Sequence, residues 1–146
     1  MQATPVPGLL LRRTLNAPPE RVYEAWTNPK VAQQFICPES VTVPAIELDV
    51  RVGGAYRIVM RKEDGEEIVV RGVYREVVPN RRLAMTWRWE EDDPKDEYDT
   101  LLSIDFSPHG SGTELTLRHE QFAKAESRDN HEHGWSSILD KLEGLR

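Results

Sequence analysis

His119 and His131 have the clearest claim to proton chemistry in this chain. An imidazole titrates close to neutral pH, so two of them facing one space could bind a polar group or move a proton. His119 follows Leu115 and Leu117 at a spacing of two, and alternate residues of a strand share a face. His131 stands four residues before Trp135, about one helical turn, so both histidines are placed to point inward. The alternative is that each is a satisfied polar residue at the rim of a core.

The run His131-Glu132-His133 suggests a metal, but two ligands on one helix face need i, i+4 spacing. His131 and His133 diverge by about half a turn. With a single cysteine and no third ligand in register, no metal and no cofactor is expected. That cysteine, Cys37, excludes an intramolecular disulfide and fits a reducing compartment. Beside Phe35 and Ile36 it reads as a small buried apolar residue. No Gly-rich phosphate loop and no Gly-x-Ser-x-Gly elbow occurs, and neither Asp105 nor Glu120 is forced inside by strand period, so no catalytic residue is assigned.

The elements that would hold these residues follow from periodicity. Leu9 to Asn16 reads as a first strand. Asn16-Ala17-Pro18-Pro19-Glu20 carries helix-start chemistry, with Asn16 as cap candidate, and Asn28-Pro29 starts a second short helix running to about Phe35. From Val43 the period becomes two, which marks strands. Ile46, Leu48 and Val50 lie on one face, and so do Tyr56, Ile58 and Met60, then Ile68, Val70 and Tyr74. Leu83, Met85, Trp87 and Trp89 continue the pattern, followed by Leu102, Ile104 and Phe106. Gly53-Gly54, Asp64-Gly65, Pro79-Asn80 and Pro108-His109-Gly110 supply turns. Helical period returns with Trp135, Ile138, Leu139, Leu142 and Leu145, and Ser127 is a cap candidate for that helix. One sheet face and one helix stripe must each be buried, so the long helix should lie across the sheet.

The chain has 146 residues, 25 acidic against 19 basic, for a net charge of −6. Seven of the acids and one base fall between Glu90 and Asp99, leaving 18 of each sign elsewhere. A nucleic-acid partner is not expected from such a balance. The acidic segment is either a solvated loop or a docking surface for a basic partner. Arg51, Arg57, Arg71, Arg75 and Arg88 are expected to form a charge ladder with Glu47, Asp49 and Glu76 on the exposed sheet face. No window approaches the roughly 20 apolar residues of a membrane span, and no signal sequence is visible, so a cytoplasmic protein is expected. Residues 1–8 read as a flexible tail and 9–146 as one domain.

Particular segments carry a resemblance. Ala17-Pro18-Pro19-Glu20-Arg21-Val22-Tyr23-Glu24-Ala25-Trp26-Thr27-Asn28-Pro29 is similar to an opening helix motif, and Asp49-Val50-Arg51-Val52-Gly53-Gly54-Ala55-Tyr56-Arg57 to a strand turn, of one branch of the START-like and Bet v 1-like proteins. The stretch from Gly72 to Leu83, Gly112-Thr113-Glu114-Leu115-Thr116-Leu117 and Gly134-Trp135 match later parts of the same pattern. Together they resemble the Hsp90-ATPase-activator-homologue family. The chain departs at Phe35-Ile36-Cys37-Pro38, where relatives carry a Trp-Trp-x-Pro-like segment.

The resemblance implies an α+β helix-grip fold, with a curved antiparallel sheet of six or seven strands, two short helices after the first strand, and a long C-terminal helix over a cavity. Wall candidates chosen by period are Tyr56, Tyr74, Met85, Trp87, Phe106 and Leu117 from strands, and Trp26 and Phe35 from the early helices. Trp135 and Leu139 come from the last helix, and His119 and His131 supply polarity. The expected partner is a small apolar or amphipathic molecule. Alternatives are a polyketide-cyclase-like or hydratase-like enzyme using His119, His131 and Tyr74, and a stress- or chaperone-related protein docking through residues 90–99. The family name alone points to a chaperone, because the eukaryotic co-chaperone engages it through a further N-terminal domain for which 146 residues leave no room. A homodimer is also implied by the resemblance.

Overall fold

The computed structural model describes residues 7–38 and 40–144. Most of the expected tail and Leu145 lie outside the described residues. Seven strands form one antiparallel sheet: β1 (Leu9–Leu15), β2 (Thr42–Leu48), β3 (Ala55–Arg61), β4 (Glu67–Val78), β5 (Arg82–Trp89), β6 (Thr100–His109) and β7 (Gly112–Glu120). Their spatial order is β1-β7-β6-β5-β4-β3-β2. β2 to β7 are a meander, each strand beside its predecessor. β1 and β2 follow one another in the chain yet occupy opposite edges, so the connection between them must cross the sheet. That connection is the helix pair α1 (Pro19–Thr27) and α2 (Pro29–Phe35), and the last helix, α3 (Ala125–Gly144), completes the helical layer.

Local chemistry sets these boundaries. Asn28 caps α2, its side chain accepting from the Lys30 N–H at 3.0 Å. α1 is different: its N-cap is Pro18, without a side-chain bond, so Asn16 is not the cap the sequence suggested. Two prolines fix the backbone at the helix entrance, and a side-chain cap two residues earlier cannot reach the first turn. Ser127 is likewise inside α3, which already starts at Ala125. Gly53 and Gly65 take positive φ in their turns, at 84° and 89°, where a side chain would be strained.

The core is the inner sheet face plus the helix stripes. Leu83, Leu102, Ile104, Leu115, Leu117 and Leu139 are completely buried, as is Phe35. Each such side chain contributes about 1.5–3 kcal/mol relative to exposure. Trp135, Ile138, Leu139 and Leu142 are the buried stripe of α3. No helix among the described residues is long and apolar enough to cross a membrane.

The outer face is charged, but its partners differ from the expected ladder. Arg51 does pair with Asp49 at 2.9 Å. Arg57 and Arg71 instead approach Glu90 at 3.5 Å, Arg71 reaches Glu97 at 2.8 Å, and Arg88 reaches Asp99 at 2.8 Å. Glu76 pairs with Arg82, which also grips Asp105 with two bonds of 2.9 and 2.8 Å. The segment 90–99 therefore folds back over the arginines of β3, β4 and β5. Glu97, whose side chain is only 9% exposed, also accepts the Glu91 N–H at 3.2 Å.

Candidate functional site

β5 and β7 set the polar part of the interior. Trp87 pairs with Thr100 and Leu102 pairs with His119, so Trp87, Thr100 and His119 converge on the inner face. α3 brings His131 and Trp135 down on them from one helix face. The hydrogen bonds fix every proton in this cluster. Trp135 Nε1–H donates to His119 Nδ1 at 3.0 Å. Indole is a donor only, so Nδ1 carries the lone pair and His119 is protonated on Nε2. That Nε2–H meets Thr100 Oγ1 at 2.6 Å, and the threonine passes its own hydrogen to the Trp87 carbonyl at 2.7 Å. His131 has the opposite tautomer: its Nε2 accepts Trp89 Nε1–H at 2.8 Å, and its Nδ1–H donates to the Ser127 carbonyl at 2.7 Å.

Both imidazoles are thus neutral with both nitrogens used. Burial, and then the neighbouring His131, hold His119 well below the ordinary imidazole value of 6.5. Burial also lowers His131, against the Ser127 hydrogen bond, which favours its charged form. Phe122 closes the cluster, its ring centroid 4.5 Å from His119 and 5.0 Å from His131. Neither histidine borders any of the three concavities described below. His133 is exposed, on the other side of the helix from the cluster.

The interior cavity lies elsewhere, and it is small, about 20 Å³. Trp26 of α1, Ala32 of α2 and Ile36 roof it, and Ile46, Leu48, Tyr56, Ile58, Tyr74, Met85, Trp87 and Leu102 form its sheet wall. No described residue of α3 borders it, so the void is beneath α1 and α2 and not beneath the C-terminal helix as expected. Trp135 fills the space under α3, its ring 5.0 Å from Trp87 and 6.1 Å from Trp26.

Of the wall candidates, Trp26, Tyr56, Tyr74, Met85 and Trp87 border the cavity. Phe35 packs edge-on to Trp26 at 5.1 Å, Phe106 edge-on to Tyr23 at 5.7 Å, and Leu117 and Leu139 are wholly buried core. Ile46, Leu48 and Ile58 were already on the inward phase of their strands and could have been added. Ala32 and Phe122 gave no such signal.

Tyr56 has a special place. The β4–β5 ladder is irregular here, with no pair between Arg71–Arg88 and Tyr74–Met85 and a register shift between Tyr74 and Glu76. Thr86 turns its hydroxyl to the Val73 N–H at 2.9 Å, and its carbonyl accepts from the Tyr56 hydroxyl. Gly72 makes this arrangement fit: a Cβ there would strike the Thr86 carbonyl oxygen and come within 2.7 Å of the Tyr56 hydroxyl. Burial, then Tyr74 and Asp99, push the Tyr56 phenol well up, so it stays a neutral donor.

Two buried polar groups in the described residues stand out beside this cavity. The indole N–H groups of Trp26 and Trp87 have no hydrogen-bond partner. Two larger concavities are on the surface. One of about 520 Å³ sits on the outer sheet face among Arg57, Arg71, Arg75 and Arg88, most of which are already paired with acids. The other, about 640 Å³, lies between the end of β1, α1 and α3.

Residues 16–145 match the family described as activator of Hsp90 ATPase homolog 1-like protein. Protein CV1439 from Chromobacterium violaceum is 33% identical over 94% of this chain and 95% of its own, with a TM-score of 0.86. The AHSA1 protein of Silicibacter pomeroyi is 29% identical over 94% and 96%, also with a TM-score of 0.86. A protein of unknown function from Staphylococcus aureus, 24% identical over 93% and 90% with a TM-score of 0.78, shares the fold. No curated protein matches the chain.

Proposed function

The chain belongs to the family of activator of Hsp90 ATPase homologue 1-like proteins, and from that premise we propose that it binds a small apolar or amphipathic molecule between the sheet and helices α1 and α2. The observation that carries this reading is the aromatic-walled cavity at Trp26, Tyr56, Tyr74 and Trp87, placed where the crossing helices meet the sheet. Walls of this kind, mostly apolar with a few polar groups, suit small-molecule binding.

A typical small-molecule pocket has about 300–1,000 Å³, far more than the 20 Å³ present here. On this reading, uptake requires α1 and α2 to rise from the sheet. The latch is Lys141, whose ammonium donates to the carbonyls of Cys37 at 2.8 Å and Pro38 at 3.1 Å, tying the end of α2 to α3. We also propose a cytoplasmic location, a reading supported by the free Cys37.

Native mass spectrometry with a thermal-shift panel of lipids, polyketides and aromatic metabolites tests this. A ligand at a hundred times its Kd should stabilise the fold by about 2.7 kcal/mol. No stabilisation and no bound mass across the panel would overturn the reading.

A further inference from the structure

The four tryptophans divide into two pairs. Trp89 and Trp135 spend their indole N–H groups on His131 and His119. Trp26 and Trp87 are 5% and 3% exposed, both border the interior cavity, and neither indole N–H has a partner. Buried polar groups are almost always hydrogen-bonded, and two exceptions beside one cavity are a reason to look for what they meet.

We propose that Trp26 and Trp87 form the polar recognition element of the interior site, and that its ligand is an uncharged apolar molecule carrying a hydrogen-bond acceptor oxygen, such as a ketone, ester or ether. This rests on the reading that the interior takes up an apolar ligand. Indole can only donate, so its partner must offer a lone pair. No lysine, arginine or histidine among the described residues lines the cavity, so a carboxylate there would be buried without a counter-charge. The phenol of Tyr56 is already committed to the Thr86 carbonyl. A void of about 20 Å³ holds one oxygen atom with its surroundings. The oxygen thus sits where space already exists, and the apolar body takes the space that lifting α1 and α2 creates.

The test uses the full chain with 15N-labelled tryptophan, titrated with acetophenone and with ethylbenzene, which share a shape and differ in the carbonyl oxygen. Acetophenone should move the indole N–H resonances of Trp26 and Trp87 downfield and leave those of Trp89 and Trp135 in place, whereas ethylbenzene should produce no downfield shift. Trp87→Phe should weaken acetophenone about tenfold and ethylbenzene by less than twofold; Trp26→Phe is the second variant should the first not fold. Benzoate should bind more weakly than acetophenone. Equal losses for both molecules, with no indole shift, would overturn the acceptor assignment while leaving apolar binding intact. Failure of both molecules to bind would remove the underlying reading and this one with it.

Discussion

The indole N–H of Trp135 ends on Nδ1 of His119, 3.0 Å away, and that single bond decides what the histidine can do. With Nδ1 accepting and Nε2 donating to Thr100, the imidazole has no lone pair or proton left for a substrate. A histidine pair that the sequence placed on inward faces is a structural pin between β7, β5 and α3.

The pH dependence of stability follows from that burial. Both histidines have folded-state values below 6.5, so the unfolded chain takes up protons first as pH falls. Their contribution is complete above about 6.5 and is lost as pH drops below it, at up to about 1.4 kcal/mol per pH unit for each histidine. Urea titrations at a series of pH values should show this fall before carboxylates titrate, and His119→Gln should reduce the slope by about half. A flat profile through that window would contradict the neutral assignment.

Gly72→Ala should cost about 1–3 kcal/mol, because the new methyl group meets the Thr86 carbonyl and the Tyr56 hydroxyl where β4 and β5 approach closely. Chemical denaturation measures it. Alanine tolerated without loss would mean that β4 and β5 can separate there freely.

Much of this was legible beforehand. Period two put Tyr56, Met85, Trp87 and Ile104 on the buried face, and helical period put Trp135 and Leu139 there, because burial of an alternating strand or striped helix leaves little choice. What could not be read was which residues meet across elements. Glu97 seemed part of a solvated acidic run, yet it answers Arg71, 26 residues earlier, since the β5–β6 connection folds back over the sheet. The void beneath α1 and α2 was equally hidden: its position depends on Trp135 filling the volume under α3.

The acidic segment should accordingly behave as two sets. Glu97→Gln should destabilise by about 1 kcal/mol, losing its charge beside Arg71. Asp92→Asn and Asp96→Asn, on exposed acids, should stay within about 0.5 kcal/mol. Equal effects in thermal denaturation would show that the segment is uniformly solvated.

Lys141→Met should loosen the latch. Loss of a charged donor to the Cys37 and Pro38 carbonyls should cost about 1–2 kcal/mol. Hydrogen exchange of α2 amides should accelerate while β5 and β6 remain protected. Unchanged exchange in α2 would place the latch elsewhere.

Ligand uptake in the space between the sheet and the crossing helices is the proposal on which the others depend. Fluorescence titration with the neutral probe N-phenylnaphthylamine addresses it most directly, comparing the native chain with Ile46→Phe, which adds bulk at the half-buried rim of the cavity. The expected result is saturable one-to-one binding by the native chain, weakened about tenfold in an Ile46→Phe protein with unchanged circular dichroism. Absence of saturable binding, or equal binding by both proteins, would contradict the account.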